Sequence, residues 1–213
     1  MPAVCFSIRS SSLLPPFYPL ELFLSQGVGG CLANKWGYFH NDGMKEKMNV
    51  ILDSDPGHDD AVAILLAGKA PEINLLGIST CSGNQSIEKT TRNALNLCQY
   101  LGIDVPVAAG SPRPLFKEPM YCPQIHGESG LDGFTFPPLT KKRDSRLGSD
   151  FIIETCLANQ DVILVPTGPL TNIALALQKE PKIKSHIKEI MRYRNGQLVS
   201  VRRHFARRLL LGR

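Results

Sequence analysis

Val50-Ile51-Leu52-Asp53-Ser54-Asp55-Pro56-Gly57-His58-Asp59-Asp60-Ala61 is an apolar run that ends in four carboxylates. The run from Met48 to Leu52 has the continuous apolar character of a strand buried on both faces of a parallel sheet. Pro56-Gly57 forces a turn, so Asp53 and Asp55 precede the bend while Asp59 and Asp60 follow it. The latter pair falls in the first turn of a helix, where the helix dipole favours negative charge. Crowded, poorly hydrated carboxylates repel one another strongly, so a cation must offset them. A hard divalent ion with oxygen ligands is the natural candidate. The stretch reads as a metal site on a strand-to-helix turn, with a solvated acidic helix cap as the plainer alternative.

Working outward, strand-like and helix-like segments alternate. Ile73 to Ile78 is a second strand-like run, and Ser86 and Lys89 flank a helix start that Ala94, Leu95, Leu97 and Leu101 continue at helical spacing. Asp161 to Val165 predicts another strand, followed by a Pro166-Thr167-Gly168-Pro169 turn. A helix is expected next, with Pro169 near its first position and Leu170, Ile173, Ala174 and Leu177 on one face. Between these units lies His126-Gly127-Glu128-Ser129-Gly130-Leu131-Asp132-Gly133, a Gly-rich loop flanked by Pro123, Pro137 and Pro138. Such alternation predicts an α/β fold with a mostly parallel sheet flanked by helices and a site at the carboxyl ends of its strands.

Two metal-site readings compete for the acidic turn before a family is considered. An EF-hand loop counted from Asp53 requires Gly at its sixth position and Glu at its twelfth, which here are His58 and Ile64. That reading fails. A haloacid-dehalogenase-type, Mg²⁺-dependent phosphatase also places D-x-D after its first strand, but its downstream Lys and acidic pair have no matching context here. Asn84 taken alone reads as a helix-entry residue, and His126 as an exposed loop histidine.

Taken together, four motifs resemble those of the inosine-uridine preferring nucleoside hydrolases. D-x-D-x-G-x-D-D spans Asp53–Asp60, and G-N-x-x-x-x-x-x-T-x-N-A-L spans Gly83–Leu95. H-G-x-x-G-L-D-G spans His126–Gly133, and V-P-T-G-P-L-T-N-I-A spans Val165–Ala174. The resemblance covers residues 48–191, about two-thirds of the chain, and corresponds to the family's N-terminal part. It implies a nucleoside-hydrolase-like, truncated fold in which this part supplies four strands of a larger sheet. It also implies hydrolysis of the N-glycosidic bond of ribonucleosides to ribose and free base, through an oxocarbenium-like transition state. Ca²⁺ is the implied cofactor, binding the ribose hydroxyls and lowering the pKa of its water. By resemblance, Asp55, Asp59 and Asp60 are carboxylate ligands, and Thr167 offers the metal its backbone carbonyl. Asp55 is also the implied general base. Asp59 and Asp60 divide metal binding from a hydrogen bond to a ribose hydroxyl, Asn84 lies beside them as a substrate-binding residue, and Asp53 orients the others. His126 belongs near the nucleobase, where it would assist the leaving group.

The resemblance stops after Ile190-Met191. Family members continue with a Gly-rich segment, further substrate-binding Asn and Glu residues, and a late His-Asp pair supplying a leaving-group acid and the remaining carboxylate ligand. Residues 192–213 instead carry seven Arg and no Asp or Glu. Without this tail, Lys+Arg falls from 24 to 17 against the same 19 Asp+Glu, so +5 becomes −2. The basic balance is therefore no argument for nucleic acid. Leu198, Val201, Phe205 and Leu209 are spaced to line one helix face, but no stacking platform accompanies them. A shifted reading frame accounts for the tail better. Back-translation across residues 191–203 with permitted codons, read in another frame, yields a Gly-rich stretch ending Asn-Leu-Ser-Pro-Ser-Ala that resembles the family's own. Residues 1–47 match nothing in the family, and their default reading is disorder, with Met44-Lys45-Glu46-Lys47-Met48 as a natural start.

No apolar run approaches the ~20 residues of a membrane span, and Pro15, Pro16, Pro19 and Glu21 interrupt the faint signal-like core at Leu13–Leu24. Cys5, Cys31, Cys81, Cys98, Cys122 and Cys156 lack C-x-x-C spacing, which favours reduced thiols in a cytoplasmic setting. The expected partner is a ribonucleoside, with neither nucleic acid nor membrane, and the resemblance implies a homodimer or homotetramer. The alternative is a non-catalytic truncated product, or one that pairs with a full-length subunit. Nucleobase preference is not legible, since the family's base contacts come largely from the part with no counterpart here.

Overall fold

The computed structural model describes residues 46–194 and 197–202. Six strands form one sheet: β1 (Met48–Ser54), β2 (Ile73–Thr80), β3 (Val107–Ala109), β4 (Val162–Pro166), β5 (Ile187–Arg194) and β6 (Gln197–Arg202). Their order is β3-β2-β1-β4-β5-β6. The pairs β1–β2, β2–β3, β1–β4 and β4–β5 are parallel, and β6 returns antiparallel to β5. Strand order therefore reverses between β1 and β4, the position at which open α/β sheets leave a crevice beyond their carboxyl ends. The acidic turn leaves β1 at this switch point.

Helices cover both faces. On one side lie α1 (His58–Lys69) and α2 (Ile87–Leu101), and on the other α4 (Gly148–Ala158), α5 (Thr171–Lys179) and a 3₁₀ turn at Pro181–Ser185, while a short turn α3 (Pro123–His126) stands in the long β3-to-α4 connection. β1 shows how the apolar run serves both layers. Ile51 packs with Phe151, Ile152, Ile173 and Leu177, whereas the next residue, Leu52, packs with Ala61, Ile64, Ala94 and Leu97. Full burial of each such aliphatic side chain contributes about 1.5–3 kcal/mol. The β1–β2 register shifts between Val50 and Ile51, and it brings Gly77 against Phe151, where a Cβ would lie 2.4 Å from the Phe151 ring.

Several expectations are corrected. The sheet has five parallel strands and an antiparallel sixth, where four strands were expected. β5 runs through the Met191–Arg192 boundary, and Leu198 and Val201 lie in β6 rather than on a helix. That strand pairs Glu189–Arg194 with Gln197–Arg202, so β5 is paired on both sides. α5 begins at Thr171 after Leu170, two residues later than Pro169 suggested. His126 closes a helical turn rather than standing in open loop. Residues 1–45, including Cys5 and Cys31, lie outside the described residues, as do Phe205 and Leu209. No helix among the described residues is long and apolar enough to cross a membrane.

Candidate active site

β1 delivers Asp53 and Asp55 to the carboxyl end of the sheet, both buried, and the Pro56-Gly57 turn sets Asp60 beside them at the third position of α1. Asp60 caps its own helix: its Oδ2 accepts the Gly57 amide at 3.2 Å, the acidic half of a capping box. Its Oδ1 accepts the Ser54 hydroxyl at 3.0 Å. Asp55 Oδ2 accepts the Asn84 amide at 2.8 Å, while the Asn84 side chain donates to the Asp55 carbonyl at 2.9 Å and to Asp60 Oδ2 at 3.3 Å. Asn84 thus clasps the acidic turn from β2's exit. Asp53 points into the opposite layer, where its Oδ1 accepts from Ser79 at 2.6 Å and from Asn172 at 2.9 Å. Asp59 is exposed on α1. Thr167 is exposed too, and its amide donates to the Asp53 carbonyl at 2.9 Å, fastening the end of β4 to β1.

Two glycines make room for Asp55. A Cβ on Gly83 would stand 2.0 Å from Asp55 Oδ2, and one on Gly168 2.4 Å from Oδ1. The carboxylate is gripped between the backbones of the β2 and β4 exits.

His126 reaches the site through a loop held by α2 and by Gln85 just before it. Gln85 Nε2 donates to the Gly127 carbonyl at 2.9 Å, Lys89 Nζ to that of Glu128, and Asn93 Nδ2 to that of Ser129 at 2.9 Å. Three consecutive carbonyls are captured by side chains spaced four apart. Asn93 also donates to the Pro56 carbonyl at 3.2 Å, so one buried amide links the acidic turn to the histidine loop. Asp132 closes that loop on itself through the Glu128 and Ser129 amides, and the Ser129 hydroxyl lowers its carboxyl from the ordinary range first, with those amides adding. The His126 ring lies over Gly57, where a Cβ would meet Nδ1 at 2.7 Å.

The electrostatics are those of an uncompensated anionic pocket. Burial pushes the Asp55 carboxyl up to about 7, with the charges of Asp60 and Asp59 adding and the Asn84 amide opposing. Burial likewise raises Asp53 to about 6 against the hydrogen bonds from Asn172 and Ser79. Cys81 beneath them is raised well above the usual thiol range by burial and then by the charges of Asp53, Asp55 and Asp60. Among the described residues, the ion pairs lie elsewhere and none reaches these three carboxylates. Among the described residues, the buried Asp53 Oδ2 and Ser82 Oγ find no hydrogen-bond partner. The oxygen donors and close negative charges of Asp55 and Asp60 fit a hard cation. Yet no three acidic, His or Cys side chains among the described residues are arranged as a metal-holding group. The acidic turn, Asn84 and the β4 exit come together, and Asp59 stands at the exposed rim.

Reading the sequence singled out Asp53, Asp55, Asp59, Asp60, Asn84, His126 and Thr167. It passed over Ser54, His58, Ser79, Gln85, Asn93 and Asn172, which hold them. Asn93 and Asn172 carried one signal: Asn is a poor helix former, so its place inside a helix suggests a side-chain task.

The sequence profile of the family described as inosine-uridine preferring nucleoside hydrolase matches residues 50–192. The chain belongs to this family. The pyrimidine-specific ribonucleoside hydrolase RihB of Escherichia coli (strain K12) is 50% identical over 147 residues, which are 68% of this chain and 47% of the relative. RihB of Shigella sonnei (strain Ss046) matches equally. Among solved structures, a purine-preferring ribonucleoside hydrolase from Gardnerella vaginalis superposes with a TM-score of 0.64 at 37% identity, over 68% of this chain and 48% of that one. The plant nucleoside hydrolase PpNRh1 does so with a TM-score of 0.64 at 34% identity, over 69% and 48%. The chain thus spans about half the length of the nucleoside hydrolases it matches. Membership in the nucleoside hydrolase family removes the phosphatase reading of the acidic turn.

Proposed function

We propose that this chain carries the metal- and ribose-binding half of a ribonucleoside hydrolase that cleaves the N-glycosidic bond to ribose and free base. The observation that carries the reading is the buried trio Asp53, Asp55 and Asp60, without counter-charge among the described residues, at the switch point of the sheet. Asp55, Asp59, Asp60 and the Thr167 carbonyl would hold Ca²⁺, with Asp53 and Asn172 bracing them from behind. Bound there, the cation would fix the ribose diol and acidify a water molecule. Asp55 would act as general base toward the attacking water, whose oxygen bonds the anomeric carbon as the bond to the base breaks. The departing base nitrogen takes its proton from His126. Asn84, clasped to both Asp55 and Asp60, stands where a ribose hydroxyl would meet them, and Asp59 at the rim shares that hydroxyl contact. The four described thiols are free, which suits a cytoplasmic enzyme of salvage chemistry.

The test is release of ribose from inosine and from uridine, with calcium and with a chelator. Calcium-dependent release that Asp55→Ala abolishes supports the reading. Release that persists in the chelator sinks it. The second reading, a metal-binding but non-catalytic product that pairs with a full-length subunit, is favoured by the lack of a closed donor set among the described residues. Calcium binding with no ribose release would select it.

A further inference from the structure

Asn93 is 4% exposed in the middle of α2, and its side-chain nitrogen donates twice, to the Pro56 carbonyl at 3.2 Å and to the Ser129 carbonyl at 2.9 Å. Pro56 lies inside the acidic turn and Ser129 inside the His126 loop, so one atom spans the two segments. The chemistry asks for a primary amide. Both partners are carbonyl oxygens, which only accept, and Nδ2 of Asn offers two donors on a short stem. An ionised Asp has the same shape and no donor, and Ser has one. The approach is close as well. A Cβ on Gly130 would stand 2.9 Å from Asn93 Nδ2, and Gly130 holds φ +86°, so the loop reaches the amide only with glycine there. Neighbouring contacts differ in kind. Gln85 and Lys89 hold the Gly127 and Glu128 carbonyls, and their side chains reach the loop and each other. His58 also bridges turn and loop, with its ring Nε2 2.9 Å from the Asp132 carbonyl, but that contact is exposed. Water can replace an exposed hydrogen bond, whereas a buried one left unmade costs the desolvation of its partners.

We propose that Asn93 is a positioning residue that couples the acidic turn to the His126 loop, so that order at the carboxylates is transmitted to the side of the site that faces the base. The inference rests on the reading of the turn as a calcium site with His126 beside the base. With Asp55 and Asp60 drawn to one cation, the Pro56-Gly57 bend between them has less freedom. Through the Pro56 carbonyl and Asn93 that restraint passes to Ser129, three residues beyond His126. The coupling is reciprocal: whatever steadies the loop tightens calcium binding at the turn by the same factor.

Backbone hydrogen exchange of the full chain, read by mass spectrometry, separates the two segments. Without metal, Asn93→Ala should speed exchange about tenfold in residues 53–60 and in residues 127–133, the weight of one or two buried hydrogen bonds. Gln85→Ala, which takes a donor from the Gly127 carbonyl only, should speed the loop alone, and His58→Ala should change both segments less than Asn93→Ala does. With calcium, the wild type should gain protection in both segments. Asn93→Ala should gain it in residues 53–60 alone, a split that general loosening of the fold does not produce. The proposal is overturned if Asn93→Ala speeds only one segment, or if Gln85→Ala speeds both equally. Calcium protection of the loop that survives Asn93→Ala, or that is missing in a wild type protected at the turn, overturns it too. Should Asn93→Ala fail to fold, Gly130→Ala reads the link from the other end. Its methyl presses on the Asn93 amide, so exchange should rise at residues 53–60 as well as in the loop, and a rise confined to the loop refutes the coupling. A wild type with no calcium protection at residues 53–60 sinks the calcium site instead, while the metal-free comparison still decides the link.

Discussion

In the proposed reading Asp55 is the residue on which the site's chemistry turns, and its surroundings are unusually strict. It is buried, raised to about 7 by that burial and by its acidic neighbours, and wedged between Gly83 and Gly168. Asp55→Ala should remove calcium binding together with ribose release, and calorimetry showing unchanged calcium affinity would refute its assignment as a ligand. Gly83→Ala should act on the same carboxylate indirectly. The new methyl lands 2.0 Å from Oδ2, so Asp55 or the β2 exit must shift, at a cost of about 1–3 kcal/mol in stability and with weaker calcium binding. Gly102→Ala is the matched control. Gly102 ends α2 with φ 60° and has open space where a Cβ would go, so the cost is backbone strain of about 1 kcal/mol. Urea midpoints should fall for both variants, and calcium affinity only for Gly83→Ala.

At the scale of elements, one helix residue fastens three segments. Asn172, 0% exposed on α5, donates to Asp53 at the end of β1 and to the Thr80 carbonyl at the end of β2, and accepts the Ser111 amide beyond β3. Asn172→Ala would take the acceptor from the part-buried Ser111 amide and one of two donors from the buried Asp53 Oδ1, while the Thr80 carbonyl keeps the Gly110 amide. Each of the two groups deprived costs about 1–3 kcal/mol, so a loss of roughly 2–5 kcal/mol is expected by chemical denaturation. A loss below about 1 kcal/mol would mean that water replaces the amide freely. Asn93 does the corresponding work on α2, joining Pro56 to Ser129. Both residues sit in stretches whose apolar spacing predicts a helix but says nothing of which polar positions face inward across the sheet.

For the molecule as a whole, two sets of carboxyls impose opposite pH dependences. Asp144, partnered by Arg146 at 2.6 Å, is lowered from 3.8 to about 2 by that guanidinium. A lowered group contributes stability above its unfolded value and loses it as pH falls, here between about 4 and 2. Asp53 and Asp55 are raised from 3.8 to about 6 and about 7. A raised group contributes below its unfolded value and loses that contribution as pH rises, here from about 4 to 7. The metal-free chain should therefore lose stability from mildly acidic to neutral pH, and calcium should restore it. At a free concentration of 100 times the dissociation constant, the gain is about 2.7 kcal/mol. Urea midpoints across this pH range, with calcium and with chelator, would show the divergence. Coincident curves would argue that no cation occupies the acidic turn.

The amino-acid sequence by itself determined the strand–turn–helix carrying the carboxylates, the alternating α/β order and the family, because these depend on local apolar runs, Pro-Gly punctuation and contiguous motifs. Even the register of Asp53, Asp55 and Asp60 around the bend could be read from spacing alone. The tertiary structure decided which of those groups are buried, and without counter-charge among the described residues, since that depends on what other segments bring or fail to bring. It placed β4 beside β1, so that Gly168 grips an acid more than a hundred residues earlier. It also set β6 against β5, although residues 192–213, which include that strand, read as a basic tail. Asn93, Asn172 and His58 acquired their tasks in the same way. A hydrogen bond across a sheet has no period in the chain, so only packing reveals it.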